Sequence, residues 1–426
     1  MTTKDHRGRP VVAVTGIGMV SSIGLGLDES WSALTAGQSG IRAISRFPTE
    51  HLRTRIAGAV DSVWEESDTA QDLTLRAGIL SAEEAIADAG IGTPGDFPGP
   101  LFAALPPAEM EWFNREALFQ RSAKAGDGDA YDRMIIAARS NNDPGGFEHT
   151  LLGFVADGLA DRLGTRGAPI SLTTACASGA TAIQLGAEAI RRGDTDAVLS
   201  IGSDCSVTAE AMVRFSLLSA LSGSSEEPAR VSKPFSKDRD GFVIAEGAAA
   251  LVLENYDAAK ARGASVHAVI RGIAEKADDF HRTRSRPDGS AIIGAIAGTL
   301  NDAGVEPEAI DYINAHGTGT PENDKMEAMS LNEVLGDALR GVPISSNKSM
   351  IGHTLTAAGA IEAVFSIKTI EDGLIPPTIN YLIPDPAIDL DVVPNKARPA
   401  EISTVLSNSF GFGGQNACLV LSAAPA

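Results

Sequence analysis

Three side chains in this 426-residue sequence could carry bond-making chemistry at carbon, and each stands among small residues. Cys176 lies in Thr173-Thr174-Ala175-Cys176-Ala177-Ser178-Gly179, between a strand that begins at Ile170 and a helix that carries Ala180, Ile183, Ala187 and Ile190. A helix N-terminus offers unpaired N–H groups and the positive end of the helix dipole. The thiol is therefore expected to fall from about 8.5 into roughly the 3.5–7.5 range and to attack thioesters as a thiolate. Ala175, Ala177 and Gly179 leave room beside it for a substrate. Taken by itself, Cys176 reads equally well as a structural core cysteine.

The two other groups are histidines in comparable surroundings. His316, in Asn314-Ala315-His316-Gly317-Thr318-Gly319-Thr320-Pro321, ends a strand, and His353, in Lys348-Ser349-Met350-Ile351-Gly352-His353-Thr354, opens a helix. Neither spacing suits a metal. One such histidine is ordinarily structural, but three reactive groups, each at a strand end beside small residues, form a constellation that points to catalysis. A glycine-rich turn, Ser407-Asn408-Ser409-Phe410-Gly411-Phe412-Gly413-Gly414-Gln415-Asn416, follows a strand and could bring its backbone close to a substrate; a phosphate cradle is the competing reading. Near the N-terminus, Thr15-Gly16-Ile17-Gly18-Met19-Val20-Ser21 resembles the start of a dinucleotide-binding loop. Ser21 stands where the third glycine is needed, so the segment reads instead as a tight strand-to-helix turn.

Positioning these groups requires strands and helices in alternation. Short β-branched runs (Val11 onward, Ala197 onward, Asp311 onward) are separated by Ala-rich helical stretches, the signature of α/β layers. Helices close on glycine at Gly193 and Gly373. Pro169-Ile170-Ser171 matches Pro343-Ile344-Ser345, and each is followed later by Val-Leu-Ser, at Val198-Leu199-Ser200 and Val405-Leu406-Ser407. The order predicts two related halves sharing one site, residues 1–262 with the nucleophile and residues 263–426 with both histidines. Residues 105–148 break this texture: charge around Glu109 and Arg115, a Gly126-Asp127-Gly128-Asp129 turn and the run from Asn141 to Gly146 read as an excursion, either a solvent loop or a lid, pocket wall or subunit contact.

Composition bounds the rest. With 43% apolar and 21% charged residues the chain can bury a large core. A net charge of −20 argues against nucleic acid or an anionic membrane as the main partner. Three cysteines, Cys176, Cys205 and Cys418, are too few and too scattered for a disulfide framework, which suggests a reducing compartment. No apolar run is long enough to span a bilayer and no signal-peptide core is seen, so a cytoplasmic location is expected.

The motifs around Cys176, His316 and His353, the Gly411-Phe412-Gly413-Gly414 turn and Asp238-Arg239-Asp240-Gly241-Phe242 together make the chain resemble the Cys-His-His class of β-ketoacyl-acyl-carrier-protein synthases over almost its whole length. The resemblance implies a thiolase-like, five-layered αβαβα fold of two pseudo-repeated halves, as a homodimer or as a heterodimer with a second synthase. It implies that Cys176 takes an acyl group from acyl carrier protein. His316 and His353 then hydrogen-bond a malonyl thioester through decarboxylation, and the carbanion attacks the acyl-enzyme. By the same likeness Lys348 and Glu362 support the second histidine, and the N–H groups of Cys176 and Phe412 form an oxyanion hole. Phe412 is the gating residue, opposite a loop with Asp278, His281 and Thr283, while Thr318 and Thr320 hold the phosphopantetheine arm. No other cofactor and no metal are implied.

The sequence departs from the family pattern in two places. Pro106-Pro107-Ala108-Glu109 stands where relatives carry a glycine-rich turn, in a region that lines the acyl pocket and dimer contact of the family. Glu65, Glu66 and Asp68, with only Arg76 nearby, replace a basic helix surface, which leaves Arg115, Arg121, Lys124, Arg133 or Arg230 with Lys233 to meet an acidic carrier. Two rivals stay open at this stage. A degradative thiolase would carry cysteine in place of His353, and a non-catalytic chain-length subunit would lack the nucleophile.

Overall fold

A computed structural model describes residues 3–66, 68–140 and 147–425. Eleven strands form the spine, here numbered β1 Val12–Ser21, β2 Leu101–Ala104, β3 Ile170–Leu172, β4 Ala197–Asp204, β5 Gly247–Asn255, β6 Ala268–Ala277, β7 Tyr312–Asn314, β8 Pro343–Ser345, β9 Asp391–Val392, β10 Thr404–Phe410 and β11 Gln415–Ser422. They run in the order β9-β8-β7-β10-β11-β6-β1-β5-β4-β2-β3. Read outward from the centre, β1-β5-β4-β2-β3 and β6-β11-β10-β7-β8 are the same topology. In both, the first two pairings are antiparallel and the next two parallel. Antiparallel pairing of Val12 with Ile270 joins the two sets at the centre. The matching tripeptides and Val-Leu-Ser runs sit on equivalent strands, β3 with β8 and β4 with β10.

The helices that matter are α1 Leu27–Thr35, α2 Ala70–Ala89, α3 Trp112–Ser122, α4 Ala130–Ser140, α5 Phe154–Leu163, α6 Ser178–Arg192, α7 Ala209–Leu217, α8 Tyr256–Ala261, α9 Ser290–Ala303, α10 Pro321–Leu335, α11 Lys348–Ile351 and α12 Ala358–Asp372. Three apolar clusters mark the layering. Ala82, Ile86 and Leu159 pack α2 and α5 on one outer face of the first half; Ile296, Leu300 and Leu331 pack α9 and α10 on the outer face of the second. Between the halves, Ile183, Ala187 and Ile190 of α6 meet Ile361, Val364 and Phe365 of α12. Helix, sheet, paired helices, sheet and helix make five layers. The joint near residue 262 falls between α8 and β6.

The two central helices are internal copies. Both are 15 residues long, both begin after an alanine N-cap (Ala177, Ala357) and both end on a left-handed glycine (Gly193 φ 77°, Gly373 φ 60°). Each follows a residue forced into positive φ, Ala175 at 50° and Leu355 at 48°, a conformation that costs an ordinary L-residue roughly 1–2 kcal/mol. Their first turns touch at Gly179 and Gly359. A Cβ on Gly179 would lie 2.4 Å from the Ala360 nitrogen, and one on Gly359 would lie 2.5 Å from the Ala180 nitrogen. Only hydrogen fits there.

Two sequence expectations are corrected. Thr15 to Ser21 forms no turn, because β1 runs unbroken through Gly16 and Gly18. The glycines are needed because α2 lies directly on the strand: a Cβ would meet Ala85 O at 2.1 Å or Ser81 O at 2.2 Å. Glu65 and Asp68 lie on no helix; they occupy the turn before α2, where Asp68 takes both terminal nitrogens of Arg76 at 2.5 and 2.9 Å. The excursion forms α3 and α4, and its run from Asn141 to Gly146 lies outside the described residues.

The helix crossing yields a stability prediction. Gly179→Ala should lower the free energy of unfolding by about 1–3 kcal/mol through overpacking against a backbone that cannot retreat. Gly341→Ala, at a site with ordinary φ and nothing within 4 Å, should be near neutral. Urea denaturation of both variants checks this.

Candidate active site

The helix crossing brings the turn before α6 against the turn before α12, and Cys176 Sγ lies 3.1 Å from His353 Nε2. His316, at the end of β7, completes the group, its ring centroid 5.4 Å from that of His353 and nearly perpendicular to it. All three are buried. They line one cavity with Thr318, Thr320, His281, Thr283, Phe215 and Phe412. Phe412 approaches through the glycine turn: its backbone N–H donates to the Cys176 thiol. The close approach depends on Gly411, where a Cβ would lie 3.0 Å from Thr174 O and 3.1 Å from Cys176 N.

The hydrogen bonds specify which ring nitrogens carry protons. The Leu355 N–H donates to His353 Nδ1 at 3.3 Å, which leaves the proton on Nε2, facing Cys176. The Lys348 ammonium, 3.5 Å from His316 Nδ1 and 2.7 Å from His316 O, likewise makes that Nδ1 an acceptor and leaves a donor at Nε2. Burial pushes both imidazoles well below the usual histidine range, and the Lys348 charge pushes them further. Both rings are therefore neutral donors at neutral pH.

Lys348 is itself fully buried and paired with Glu362, whose carboxyl burial pushes up to about 7 against the pull of that ammonium. The hydrogen bonds of the pair go to His316, where the ammonium reaches Nδ1 and O, while the bond recorded at His353 Nδ1 comes from Leu355; at His353, which the sequence expectation has the pair support, Lys348 acts through its charge. A correction concerns Cys176. Burial pushes its thiol up to about 11, above the ordinary range and opposite to the expected fall. Helix α6 starts two residues later, at Ser178. Its leading N–H groups, from Ala177 and Ser178, donate to Thr174 O and Ala175 O of their own turn and not to sulfur. Burial then outweighs the single N–H from Phe412.

Thr318 and Thr320 lie side by side in the cavity wall, hydroxyl to hydroxyl at 2.9 Å, and Thr320 also caps α10. Asp278 is the expected contact that does not reach the cavity. Its carboxylate accepts from the Phe280 and Arg286 N–H groups at 2.9 and 2.7 Å, so it shapes the loop that carries His281 and Thr283. Sequence reasoning missed the acids beneath His316. Glu327 accepts from His316 N at 2.9 Å and Gly317 N at 2.8 Å, with Asn408 donating to it at 3.1 Å. Asp324, one helical turn earlier, accepts from Gly319 N and Phe235 N. Acids at i and i+3 of a helix that opens right after Gly-Thr-Gly-Thr were the available signal, since α10 places both beneath the loop.

This arrangement has counterparts. Residues 9–259 match the model of the β-ketoacyl synthase N-terminal domain and residues 267–382 that of the C-terminal domain. The chain is 36% identical over 419 residues to a 3-oxoacyl-[acyl-carrier-protein] synthase 2 of Coxiella burnetii, covering 96% of this chain and 98% of that one. It is 35% identical to the tetracenomycin polyketide synthase ketoacyl synthase alpha subunit of Streptomyces glaucescens, covering 96% of each. Among solved structures, one of a type II polyketide synthase acyl-carrier protein in complex with its ketosynthase bound to the hexaketide matches at 34% identity with a TM-score of 0.86, covering 98% of this chain and all of that one. With one thiol and two neutral imidazoles facing a single cavity in a twice-repeated α/β topology, and both domain models matched in order, the chain belongs to the β-ketoacyl synthase family.

Proposed function

We propose that this protein is a 3-oxoacyl-[acyl-carrier-protein] synthase of fatty acid biosynthesis that condenses an acyl thioester with malonyl thioester by loss of carbon dioxide. The observation that carries this is the 3.1 Å approach of Cys176 Sγ to a neutral His353 whose Nε2 is a donor, with His316 beside it. A metal or nucleotide has no step in this chemistry; the acyl groups ride on the phosphopantetheine arm of an acyl carrier protein, and Thr318 and Thr320, in the cavity wall, would hydrogen-bond that arm.

In the first half-reaction Cys176 Sγ attacks the acyl carbonyl. The carbonyl oxygen becomes an oxyanion to which the backbone N–H groups of Cys176 and Phe412 would donate. Collapse breaks the bond to the pantetheine sulfur, and the proton lost by Cys176 passes to that departing thiol. Exchange of one thiol for another is neutral overall, so a resting thiol held protonated by burial is compatible with it. In the second half-reaction the Nε2 donors of His316 and His353 face the malonyl thioester oxygen. As carbon dioxide leaves, the electron pair moves onto that oxygen as an enolate, where two neutral donors stabilise it in a site shielded from water. The enolate carbon then attacks the acyl-cysteine carbonyl, and Cys176 departs and is reprotonated.

The same reading gives the excursion a partner. Trp112, Phe119 and Tyr131 are 65%, 68% and 69% exposed, three large aromatic side chains on the two helices of the excursion. A second subunit, identical or a related synthase, would cover them. Free, buried cysteines suit a reducing cytoplasm, and no helix among the described residues is long and apolar enough to cross a membrane.

Three outcomes follow. Incubation with acyl-carrier thioesters of graded length should add the acyl mass to the intact protein and not to Cys176→Ala; no adduct from any donor would return the chain to the non-catalytic partner reading. His316→Ala should leave that acylation within a few-fold while lowering malonyl decarboxylation about 10²–10³-fold, the effect of losing one oxyanion donor; equal loss of both steps would refute the split roles. Finally, alkylation of Cys176 by iodoacetamide, followed by peptide mass, should keep accelerating above about pH 9, where an ordinary thiol levels off; a plateau below about pH 7 would show a stabilised thiolate instead.

A further inference from the structure

The mouth of the cavity carries a feature that the condensation chemistry leaves unused. Residues 281–286 read His-Arg-Thr-Arg-Ser-Arg, a concentration of arginine in a chain of net charge −20. His281, Thr283, Arg284 and Ser285 all line the cavity that leads to Cys176. Arg282 and Arg284 are exposed, and among the described residues neither guanidinium has a hydrogen-bonding or ionic partner, whereas Arg286 is bound to Asp279. Of the other candidate cations, Arg76 is engaged by Asp68 and Val63 O, Lys233 by Glu226 and Asp238, Arg115 by Met110 O and Arg133 by Gly128 O, whereas Arg121, Lys124 and Arg230 are exposed and lie away from this cavity wall.

The loop is held in place. Asp278 ties its two ends by accepting from Phe280 N and Arg286 N. The Asp278 N–H donates to Gly414 O at 2.7 Å, and the Gly413 N–H donates to Arg282 O at 2.8 Å, which fastens the loop to the turn bearing Phe412. Thr283 and Ser285 add hydroxyl groups on the cavity side, and Thr320 and Asn323 stand in the same wall. The acids at this rim are Glu322, Asp279 and Asp288; Asp279 is bound to Arg286, and Asp288 accepts from Ser290 N at 3.0 Å. The unpaired Arg284 guanidinium and two hydroxyls in the wall of a channel to a thiol, with the exposed Arg282 two residues earlier on the same loop, make a site for a phosphate ester.

We propose that Arg282 and Arg284 bind the phosphodiester at the root of the carrier's pantetheine arm, and that this contact takes the place of the basic surface missing around Glu65 and Asp68. The inference rests on the condensing-enzyme reading, because it requires that an arm enters this cavity. It assigns the carrier's anchor to the rim of the active site and not to Arg121 and Lys124 on the excursion.

The test compares three acyl donors on the full-length protein, reading Cys176 acylation by intact mass: acyl-pantetheine, which has no phosphate, acyl-phosphopantetheine, and the acyl carrier protein itself. In the wild type the phosphorylated small donor should react at least ten-fold more efficiently than acyl-pantetheine. In Arg282→Gln/Arg284→Gln that advantage should vanish, with acyl-pantetheine unchanged and the carrier reaction lowered by a similar factor. A loss confined to the carrier protein would mean that the arginines meet its acidic surface and would overturn the phosphate assignment. Equal loss with all three donors would mean the loop shapes the cavity, and a carrier reaction lowered only by Arg121→Glu/Lys124→Glu would move the anchor to the excursion; both refute the proposal. Failure of the wild type with every donor would instead remove the condensing-enzyme reading itself.

Discussion

The structure turns on the contact between Gly179 and Gly359. Two buried helices cross at their first turns with no side chain between them, so their backbones approach closer than any residue larger than glycine permits. Because Cys176 sits three residues before one glycine and His353 six before the other, this crossing sets the distance between sulfur and imidazole. The surrounding apolar cluster holds the helices in place from both sides. Packing, and not a local motif, is therefore what makes a pair of reactive groups out of two residues 177 positions apart.

Symmetry of the halves explains why the site lies between them and why it is asymmetric in chemistry. The duplicated turn supplies positive φ at Ala175 and at Leu355. In the first copy the next residue is Cys176; in the second it is Thr356, whose hydroxyl and N–H both donate to buried Asp204. One copy thus presents a thiol to the cavity while its counterpart is used as a brace. The second half contributes instead the loops after β7 and β8, which bear the histidines.

A buried electrostatic layer lies under those loops. Lys348, Glu362, Glu327 and Asn408 are all removed from solvent, and most of their polar atoms are satisfied by one another or by backbone groups. Burial keeps the two imidazoles neutral, the cation beside them reinforces this, and a neutral imidazole with its Nδ1 occupied can only donate from Nε2. Burial that depresses the histidines also raises Cys176, so exclusion of water is the largest influence on all three protonation states.

Much of this was legible without coordinates. The α/β alternation, the internal repeat, the helix ends at Gly193 and Gly373 and the three reactive residues all follow from local patterns of β-branched, small and glycine residues, because such preferences act within a few positions. Other properties were decided only by the tertiary structure. Whether Gly16 and Gly18 turn the chain or admit a helix depends on what packs against them, and α2 is far away in sequence. Cys176 was expected to ionise from its place near a helix, but burial by distant segments reversed the shift. Lys348 hydrogen-bonds His316 and not His353, which is nearer in sequence, and Glu327 and Asp324 enter the site from a helix with no reactive motif of its own. Local sequence determines which groups exist and where the chain turns; dielectric, proton position and partner choice are properties of the space between segments, and they arise only when the halves close on one another.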